Sequence, residues 1–103
     1  SESRNRYYLV EDEAGAILIA NEGYNGAASS GWLYYTVSGD RLTVQQAIMY
    51  DAAADEENPW FMAYDDDWDT SNDEPVDEDM AQSVINSYTD NYAKLDWTIL
   101  VQE

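Results

Sequence analysis

A pair of β-rich runs separated by a tight turn is the feature that most restricts the fold of this chain. The runs are WLYYTV at residues 32–37 and RLTVQQAIMY at residues 41–50, with Ser-Gly-Asp between them. Branched and aromatic residues favour strands, and the turn brings the two runs side by side as a hairpin. Gln46 interrupts the alternation of the second run, which predicts a bulge or a twist. The rest of that run divides between a face of Leu42, Val44, Ile48 and Tyr50 and a face of Thr43, Gln45, Ala47 and Met49.

Other segments extend this hairpin into a sheet. Residues 6–11 and 16–20, which read RYYLVE and AILIA, predict a first hairpin. Residues 60–64 and 95–101, which read WFMAY and LDWTILV, predict two more strands. Between the hairpins, residues 22–31 are small and glycine-rich without periodicity, so they predict a loop.

One helix completes the predicted fold. Asp77 is a good N-cap, and the acidic residues that follow it suit the positive end of the helix dipole. Apolar residues recur at helical spacing over residues 77–88, which predicts an amphipathic helix. Its predicted buried face consists of Met80, Val84, Ile85 and Tyr88. The sequence therefore predicts an α+β domain, in which a mostly antiparallel sheet of five or six strands carries one C-terminal helix packed on a face.

Composition limits the function as well as the fold. A chain of 103 residues with 45% hydrophobic content predicts one folded domain, which we expect to be excised from a longer precursor. A net charge of −18 argues against direct binding to nucleic acid or to an anionic membrane. No run approaches the roughly 20 apolar residues of a membrane span. The chain has no His and no Cys, which removes the commonest general base and the ligands that zinc prefers.

The acidic residues are concentrated in one part of the chain. Thirteen of the 22 lie between positions 51 and 79, a segment without Lys or Arg. Carboxylates this close repel one another, and solvent and salt screen the repulsion only in part. The segment is therefore a solvated face, a cation site, or a docking site for a basic partner, and the sequence leaves the three interpretations open.

The cation interpretation rests on a partial match to a calcium loop that begins at Asp67. Such loops supply oxygens at alternate positions and a bidentate Glu at the twelfth. In this register Asn72 stands in place of the usual glycine, and the preceding segment is a predicted strand instead of a helix. The candidate ligands for Ca²⁺ are Asp67, Asp69, Ser71, Asp73 and Glu78.

The partner interpretation uses the same segment. A folded domain with this charge can imitate the phosphate spacing of DNA, about one charge per 1.7 Å, and so inhibit a protein that binds DNA or RNA. It can also dock onto another kind of basic protein. Trp68 has no apolar neighbours in sequence, so it is either an exposed binding residue or an anchor that folds back over the sheet edge. The candidate partner-binding residues are Asp65, Asp66, Trp68 and Glu74.

Aromatic residues suggest a further ligand class. A platform of aromatic rings could stack sugars, which makes a glycan a candidate ligand, although Trp32 and Trp60 lie in predicted strands where a core position is the simpler interpretation. The platform would consist of Tyr24, Trp32, Trp60, Trp68 and Tyr92. No pair among the 22 acidic residues stands out as catalytic, so we do not expect an enzyme.

Three stretches carry a resemblance to known proteins: YYLVEDEAGAILI, GWLYYTVSGDRL and EPVDEDMAQSVINSYTDNYAKLDWTIL. Their layout resembles a diffuse group of secreted or lipid-anchored proteins of unknown function from gut Firmicutes. In that group, a hairpin on a degenerate calcium-type turn precedes Tyr-rich strands and a final unit of acidic residues, short helix, Tyr and strand. The resemblance implies an extracytoplasmic bacterial protein without an established activity, and it carries over no catalytic residue.

These features together predict a non-catalytic extracytoplasmic domain. We expect it to bind a protein or a glycan and to present a strongly acidic surface. The alternatives are an acidic nucleic-acid mimic that inhibits a DNA- or RNA-binding protein, and a calcium-binding module.

Overall fold

A computed structural model describes residues 3–12, 14–25 and 29–92. In this part of the chain, six strands form one antiparallel sheet, and each strand pairs with the next along the sequence. The strands are β1 (Ser3–Glu11), β2 (Ile17–Asn25), β3 (Ser29–Ser38), β4 (Arg41–Asp51), β5 (Trp60–Ala63) and β6 (Glu74–Pro75), and the helix is α1 (Glu78–Thr89). The predicted α+β fold, with its antiparallel sheet and one C-terminal helix, is confirmed.

The strands differ from the predicted ones in two places. Residues 22–31 do not form one long loop, because Glu22 pairs with Trp32 and Tyr24 pairs with Ser30. Backbone pairing across the sheet therefore outweighs the glycine-rich composition of this segment. The sixth strand is β6, within the acidic segment, whereas the strand predicted at residues 95–101 lies outside the described residues.

A β-bulge divides β4, as the interruption at Gln46 predicts. Tyr34 of β3 lies opposite Gln46, but Tyr35 lies opposite Val44, so Gln45 is the extra residue. An extra residue moves all side chains beyond it to the other face of the sheet. The prediction that Leu42 and Val44 share a face with Ile48 and Tyr50 is therefore wrong. Val44 instead packs against the cluster that contains Ala47 and Met49.

The sheet buries apolar side chains on both faces. On one, here named the helix face, α1 packs Ala81 and Ile85 against Ile48 of β4. The opposite side, the loop face, is covered in part by Trp68, which belongs to the segment that connects β5 to β6. The helix face also buries Val10, Leu18, Ala20 and Tyr34, and the loop face buries Leu33, Ala47, Met49, Phe61 and Ala63.

Hydrogen bonds hold the start of helix α1 and the segment that follows its end. The carboxylate of Asp77 accepts a hydrogen bond of 2.8 Å from the backbone N–H of Met80, which confirms the predicted N-cap. After the helix, the backbone N–H of Glu11 donates a 3.0 Å bond to the carbonyl of Asn91, so the chain reaches the edge of β1. No helix in the described ranges is long and apolar enough to cross a membrane.

The buried stripe of α1 is rotated from the predicted one. Ala81 and Ile85 are buried, Val84 and Tyr88 are half-buried, and Met80 is 50% exposed. The small side chain of Ala81 lets the helix approach the sheet, and the stripe of residues 81, 84, 85 and 88 follows the helical repeat. Placing Met80 on the buried face was therefore wrong.

Candidate functional site

Trp68 fixes the acidic loop, residues 64–73, to the sheet. Its half-buried ring packs on the loop face against the cluster built around Leu33, Met49 and Phe61. The backbone at Trp68 has φ 63°, a left-handed conformation that is uncommon for a bulky residue. Packing holds this conformation in place. The structure therefore supports the interpretation of Trp68 as a loop anchor.

Gly31 provides the space for that anchor. A Cβ atom at position 31 would lie 2.9 Å from Cη2 of Trp68 and 3.0 Å from Sδ of Met49, closer than side chains normally approach. A glycine is therefore needed where the ring meets β3. The sequence places Gly31 in a glycine-rich stretch, but it does not show which distant residue requires the glycine.

Within the acidic loop, carboxylates accept hydrogen bonds from nearby backbone N–H groups and so stabilise turns. Asp67 accepts a 2.9 Å bond from the N–H of Asp69, and Asp69 accepts a 3.0 Å bond from the N–H of Ser71. The second bond caps a short 3-10 turn over Thr70–Asn72 and lowers the pKa of Asp69. The buried Thr70 donates a 3.0 Å hydroxyl bond to Asp51 at the end of β4, which ties the loop to the sheet a second time.

Asp73 carries the clearest electrostatic cost in this loop. Its pKa is raised to about 6, first by partial burial and then by the negative charges of Asp65, Asp67 and Asp69. The pKa of Asp65 is also raised, by desolvation first and by the neighbouring carboxylates next. The loop therefore holds like charges together without a compensating cation among the described side chains.

The predicted calcium ligands do not converge. Within the residues that the structure describes, no group of three or more carboxylates is arranged to hold a metal ion. Asp67 and Asp69 are engaged with backbone N–H groups, and Glu78 is exposed at the first residue of α1. Binding of Ca²⁺ by Asp67, Asp69, Ser71, Asp73 and Glu78 stays a prediction, and this geometry would have to rearrange to form the site.

The predicted partner-binding residues separate into two groups. Asp65, Asp66 and Glu74 are exposed, whereas Trp68 turns inward onto the sheet. Burial raises the pKa of Tyr35 on the loop face, and the charge of Asp66 adds to that rise. Asp66 therefore stands close enough to the sheet to act on its surface electrostatically.

Next to the acidic loop, apolar residues remain accessible on the loop face. In this apolar strip, Leu9, Ile19 and Tyr35 lie opposite one another in successive strands, and Val37 lies opposite Leu42. The exposed fraction is 49% for Val37 and 51% for Leu42. The whole strip consists of Tyr7, Leu9, Ile17, Ile19, Tyr35, Val37, Leu42 and Val44. The sequence did not reveal it, because the bulge at Gln45 is what moves Leu42 and Val44 to this face.

The predicted aromatic platform is not a single surface. Trp32 and Trp60 stack with ring centroids 5.7 Å apart on the helix face, and Tyr92 stacks on Tyr8 at 4.6 Å. Trp68 lies on the opposite face of the sheet. Tyr24 and Trp32 instead line one cleft at the end of β2 and the start of β3.

Comparison with protein-family models, with curated proteins and with solved structures finds no match for this chain. The resemblance to secreted and lipid-anchored Firmicutes proteins therefore stays a prediction.

We expect Asp73→Asn to stabilise the domain near pH 8 and to have no effect near pH 4. The folded-state pKa of Asp73, about 6, exceeds its ordinary value of 3.8, so the ionised form destabilises the fold above pH 6. This cost disappears as the pH falls through 6 toward 4. With allowance for solvent screening, the gain near pH 8 is about 1 kcal/mol, measured by urea unfolding.

Glu56→Gln is the matched control for this prediction, because it removes the same charge from an exposed position outside the acidic loop. It should change the free energy of unfolding by no more than about 0.5 kcal/mol at either pH. An Asp73→Asn gain of the same size near pH 8 and near pH 4 would show that repulsion at Asp73 is not its cause.

Proposed function

We propose that this domain is a non-catalytic interaction module whose loop face binds a protein segment that carries both apolar and basic residues. The observation that carries the proposal is the position of the apolar strip directly beside the acidic loop. Tyr35 and Val44 of the strip pack against the same buried cluster as Trp68 of the acidic loop, so the two surfaces are neighbours.

The apolar strip supplies the driving force for binding. Four of its side chains, those of Tyr7, Ile17, Val37 and Leu42, are about half exposed, so a partner can remove considerable apolar area from water. Burial of apolar area contributes roughly 25 cal/mol per Å². An exposed apolar patch with a polar border is typical of a protein-binding surface.

The acidic loop supplies the selectivity. Asp65 and Asp66 are exposed in the acidic loop, and the net charge of the chain is −18. This charge attracts basic partners over long range and repels acidic ones, a second copy of this chain included. Because Trp68 and the turn hydrogen bonds hold the loop, its carboxylates need little ordering when a partner binds.

The nucleic-acid mimic remains the second candidate. It is favoured by the same fixed turns at Asp67 and Asp69, since a mimic needs carboxylates in set positions. The apolar strip favours the first candidate, because a partner's phosphate-binding site would make no apolar contacts with exposed branched side chains. Failure of the domain to displace DNA from basic DNA-binding proteins at low salt would argue against mimicry.

An extracytoplasmic setting is part of the proposal and rests on the resemblance to secreted and lipid-anchored proteins. Fractionation of the cells that make this protein, and of their medium, tests this part separately. Recovery in the cytoplasmic fraction alone would contradict it.

The binding proposal is tested with an amphipathic peptide of Lys and Leu, titrated into the domain and followed by NMR. We expect saturable shifts for strip residues and for the acidic loop. The double variant Val37→Thr with Leu42→Thr should raise the Kd about tenfold, because it removes apolar contact while keeping strand propensity. Asp66→Asn should raise the Kd only a few-fold at low salt, and this effect should vanish at high salt.

Two controls isolate the apolar strip. Met80→Ser removes a side chain with a comparable exposed fraction, 50%, from the helix instead of the loop face, and should leave the Kd unchanged. A scrambled peptide of the same composition should bind at least about tenfold more weakly. Equal affinity of both peptides, or equal affinity of the double variant and the wild type, would contradict the proposal.

A further inference from the structure

A cleft of about 300 Å³ opens on the helix face at the end of β2 and the start of β3. Its side chains differ in kind from those of the apolar strip, because they combine aromatic rings with opposite charges and a hydroxyl. The cleft is lined by Arg6, Glu22, Tyr24, Ser30 and Trp32, together with the backbone at two glycines. The volume is at the lower limit for small-molecule sites.

Strand pairing places the polar groups of this cleft side by side. Arg6 stands opposite Glu22 in the β1–β2 register, and Tyr24 stands opposite Ser30 in the β2–β3 register. The guanidinium of Arg6 forms no ion pair with any side chain in the described ranges. A donor group is therefore available next to a carboxylate on the same face of the sheet.

Tyr92 fixes the carboxylate of Glu22. The hydroxyl of Tyr92 donates a 2.6 Å hydrogen bond to Oε2 of Glu22, and the ring of Tyr92 stacks on Tyr8. Burial raises the pKa of Tyr92, and the hydrogen bond to Glu22 adds to the rise, so the hydroxyl keeps its proton and remains a donor. One carboxylate oxygen of Glu22 is thus engaged, and Oε1 remains as an acceptor.

The aromatic walls give the cleft its apolar surface. Trp32 is half-buried and stacks on Trp60, so its ring is positioned before any ligand arrives. Tyr24 is 39% exposed and closes the cleft from the neighbouring strand. Rings fixed in this way bind the flat apolar side of a ligand without a large loss of side-chain freedom.

We propose that this cleft binds a neutral sugar ring of a glycan. The apolar C–H side of the ring would stack on Tyr24 and Trp32. Its adjacent hydroxyl groups would accept from the guanidinium of Arg6 and donate to the carboxylate of Glu22. A sugar hydroxyl both donates and accepts, so one ring satisfies the two opposite groups at once.

The charges of the cleft argue against simple ions as the ligand. A small anion that pairs with Arg6 would meet the carboxylate of Glu22 and the overall charge of −18. A small cation that pairs with Glu22 would meet the guanidinium of Arg6. A ligand without net charge avoids both penalties and still uses both groups.

The site is separate from the proposed protein-binding surface. The apolar strip and the acidic loop lie on the loop face, whereas Glu22 contacts Tyr92 and Trp32 packs among helix-face clusters. Peptide binding and sugar binding therefore fail or succeed independently, and each experiment leaves the other proposal unaffected.

The test is an NMR titration with neutral trisaccharides of glucose, xylose, mannose and N-acetylglucosamine at millimolar concentration. We expect at least one of them to shift the amides of residues 22–24 and 30–32 in a saturable way. Tyr24→Ala should weaken that binding about tenfold, because it removes one stacking surface. Glu22→Gln should weaken it a few-fold while an amide oxygen still accepts from Tyr92.

Tyr64→Ala is the matched control, since Tyr64 is an exposed tyrosine, 62% accessible, that does not line the cleft. Its sugar affinity should equal that of the wild type. Thermal unfolding of every variant confirms that the fold is kept. The proposal is overturned if no sugar of the panel gives saturable shifts at the cleft, or if Tyr24→Ala binds the sugar as tightly as Tyr64→Ala does.

Discussion

Replacing Trp68 by Ala is expected to lower the free energy of unfolding by about 3 kcal/mol, at the lower end for a large aromatic side chain because the ring is half-buried. The ring packs against the loop-face cluster and is the main apolar contact that the acidic loop makes with the sheet. In a domain of this size, such a loss lowers the thermal midpoint by well over 10 °C, at about 4–8 °C per kcal/mol.

The effect of Trp68→Ala should reach beyond stability. Without the ring, turn hydrogen bonds and the bond from Thr70 to Asp51 still oppose the repulsion among Asp65, Asp67 and Asp73, but the apolar contact is lost. We expect faster amide hydrogen exchange throughout residues 64–73, because local opening of the loop becomes easier. Unchanged exchange in the loop would contradict the role of Trp68 as its anchor.

Gly31 allows this contact to be tested from the other side. A Cβ at position 31 would meet the Trp68 ring at 2.9 Å, so Gly31→Ala should destabilise the domain by about 1–3 kcal/mol. In a Trp68→Ala background, the same change should cost much less, because the ring that it meets is gone. The coupling energy of this double-mutant cycle measures the contact directly, and a value near zero would show that the two residues act independently.

The strand pattern explains how much of the fold the sequence could predict. Alternating apolar residues and short turns define the β1–β2 and β3–β4 hairpins, because each hairpin depends on residues that are close in the chain. The helix start at Asp77 is equally local. The rotation of α1, with Ala81 inward and Met80 outward, depends on how closely the helix approaches the sheet, which local residues do not reveal.

The bulge shows why correct strands can still give wrong faces. The interruption at Gln46 indicated an irregularity, but the extra residue is Gln45, and its position decides where Val44 points. A shift of one residue moves every side chain beyond the bulge to the other face of the sheet. For this reason the apolar strip could not be predicted, although every residue in it lies in a predicted strand.

The acidic loop was predicted as a feature, but its internal organisation was not. Its charge and turn composition are visible in the sequence, and both metal binding and partner binding followed from them. The contact of Trp68 with Gly31 joins residues 37 positions apart, and no local pattern encodes it. Likewise, Glu22 and Tyr92 meet through a fold that brings the end of α1 to β1 and β2.

Replacing Tyr88 by Ala is the second change for which we expect a large loss, about 3 kcal/mol in the free energy of unfolding. The Tyr88 ring stacks on Tyr34 with centroids 3.6 Å apart and planes 7° from parallel. Tyr34 is fully buried, so removal of its neighbour leaves a cavity between α1 and the sheet. Urea unfolding measures the loss.

Tyr88→Phe separates the contribution of the hydroxyl to stability from that of the ring. That hydroxyl donates a 2.7 Å bond to Gln46 and accepts a 3.1 Å bond from Gln45, so it joins α1 to the bulge itself. Loss of the two bonds should cost about 1–2 kcal/mol, roughly one to two thirds of the Ala effect. Tyr64→Ala, at an exposed position, should stay within about 0.5 kcal/mol of the wild type.

The Phe variant also tests what holds the bulge in place. If the hydroxyl fixes Gln45 and Gln46, Tyr88→Phe should shift the amide resonances of residues 44–47 far more than those of the distant β1–β2 turn. Because the bulge sends Leu42 and Val44 to the loop face, the same variant should weaken binding of the Lys-Leu peptide, although Tyr88 lies on the opposite face of the sheet. Unchanged amides and unchanged peptide affinity would show that strand pairing alone sets the bulge.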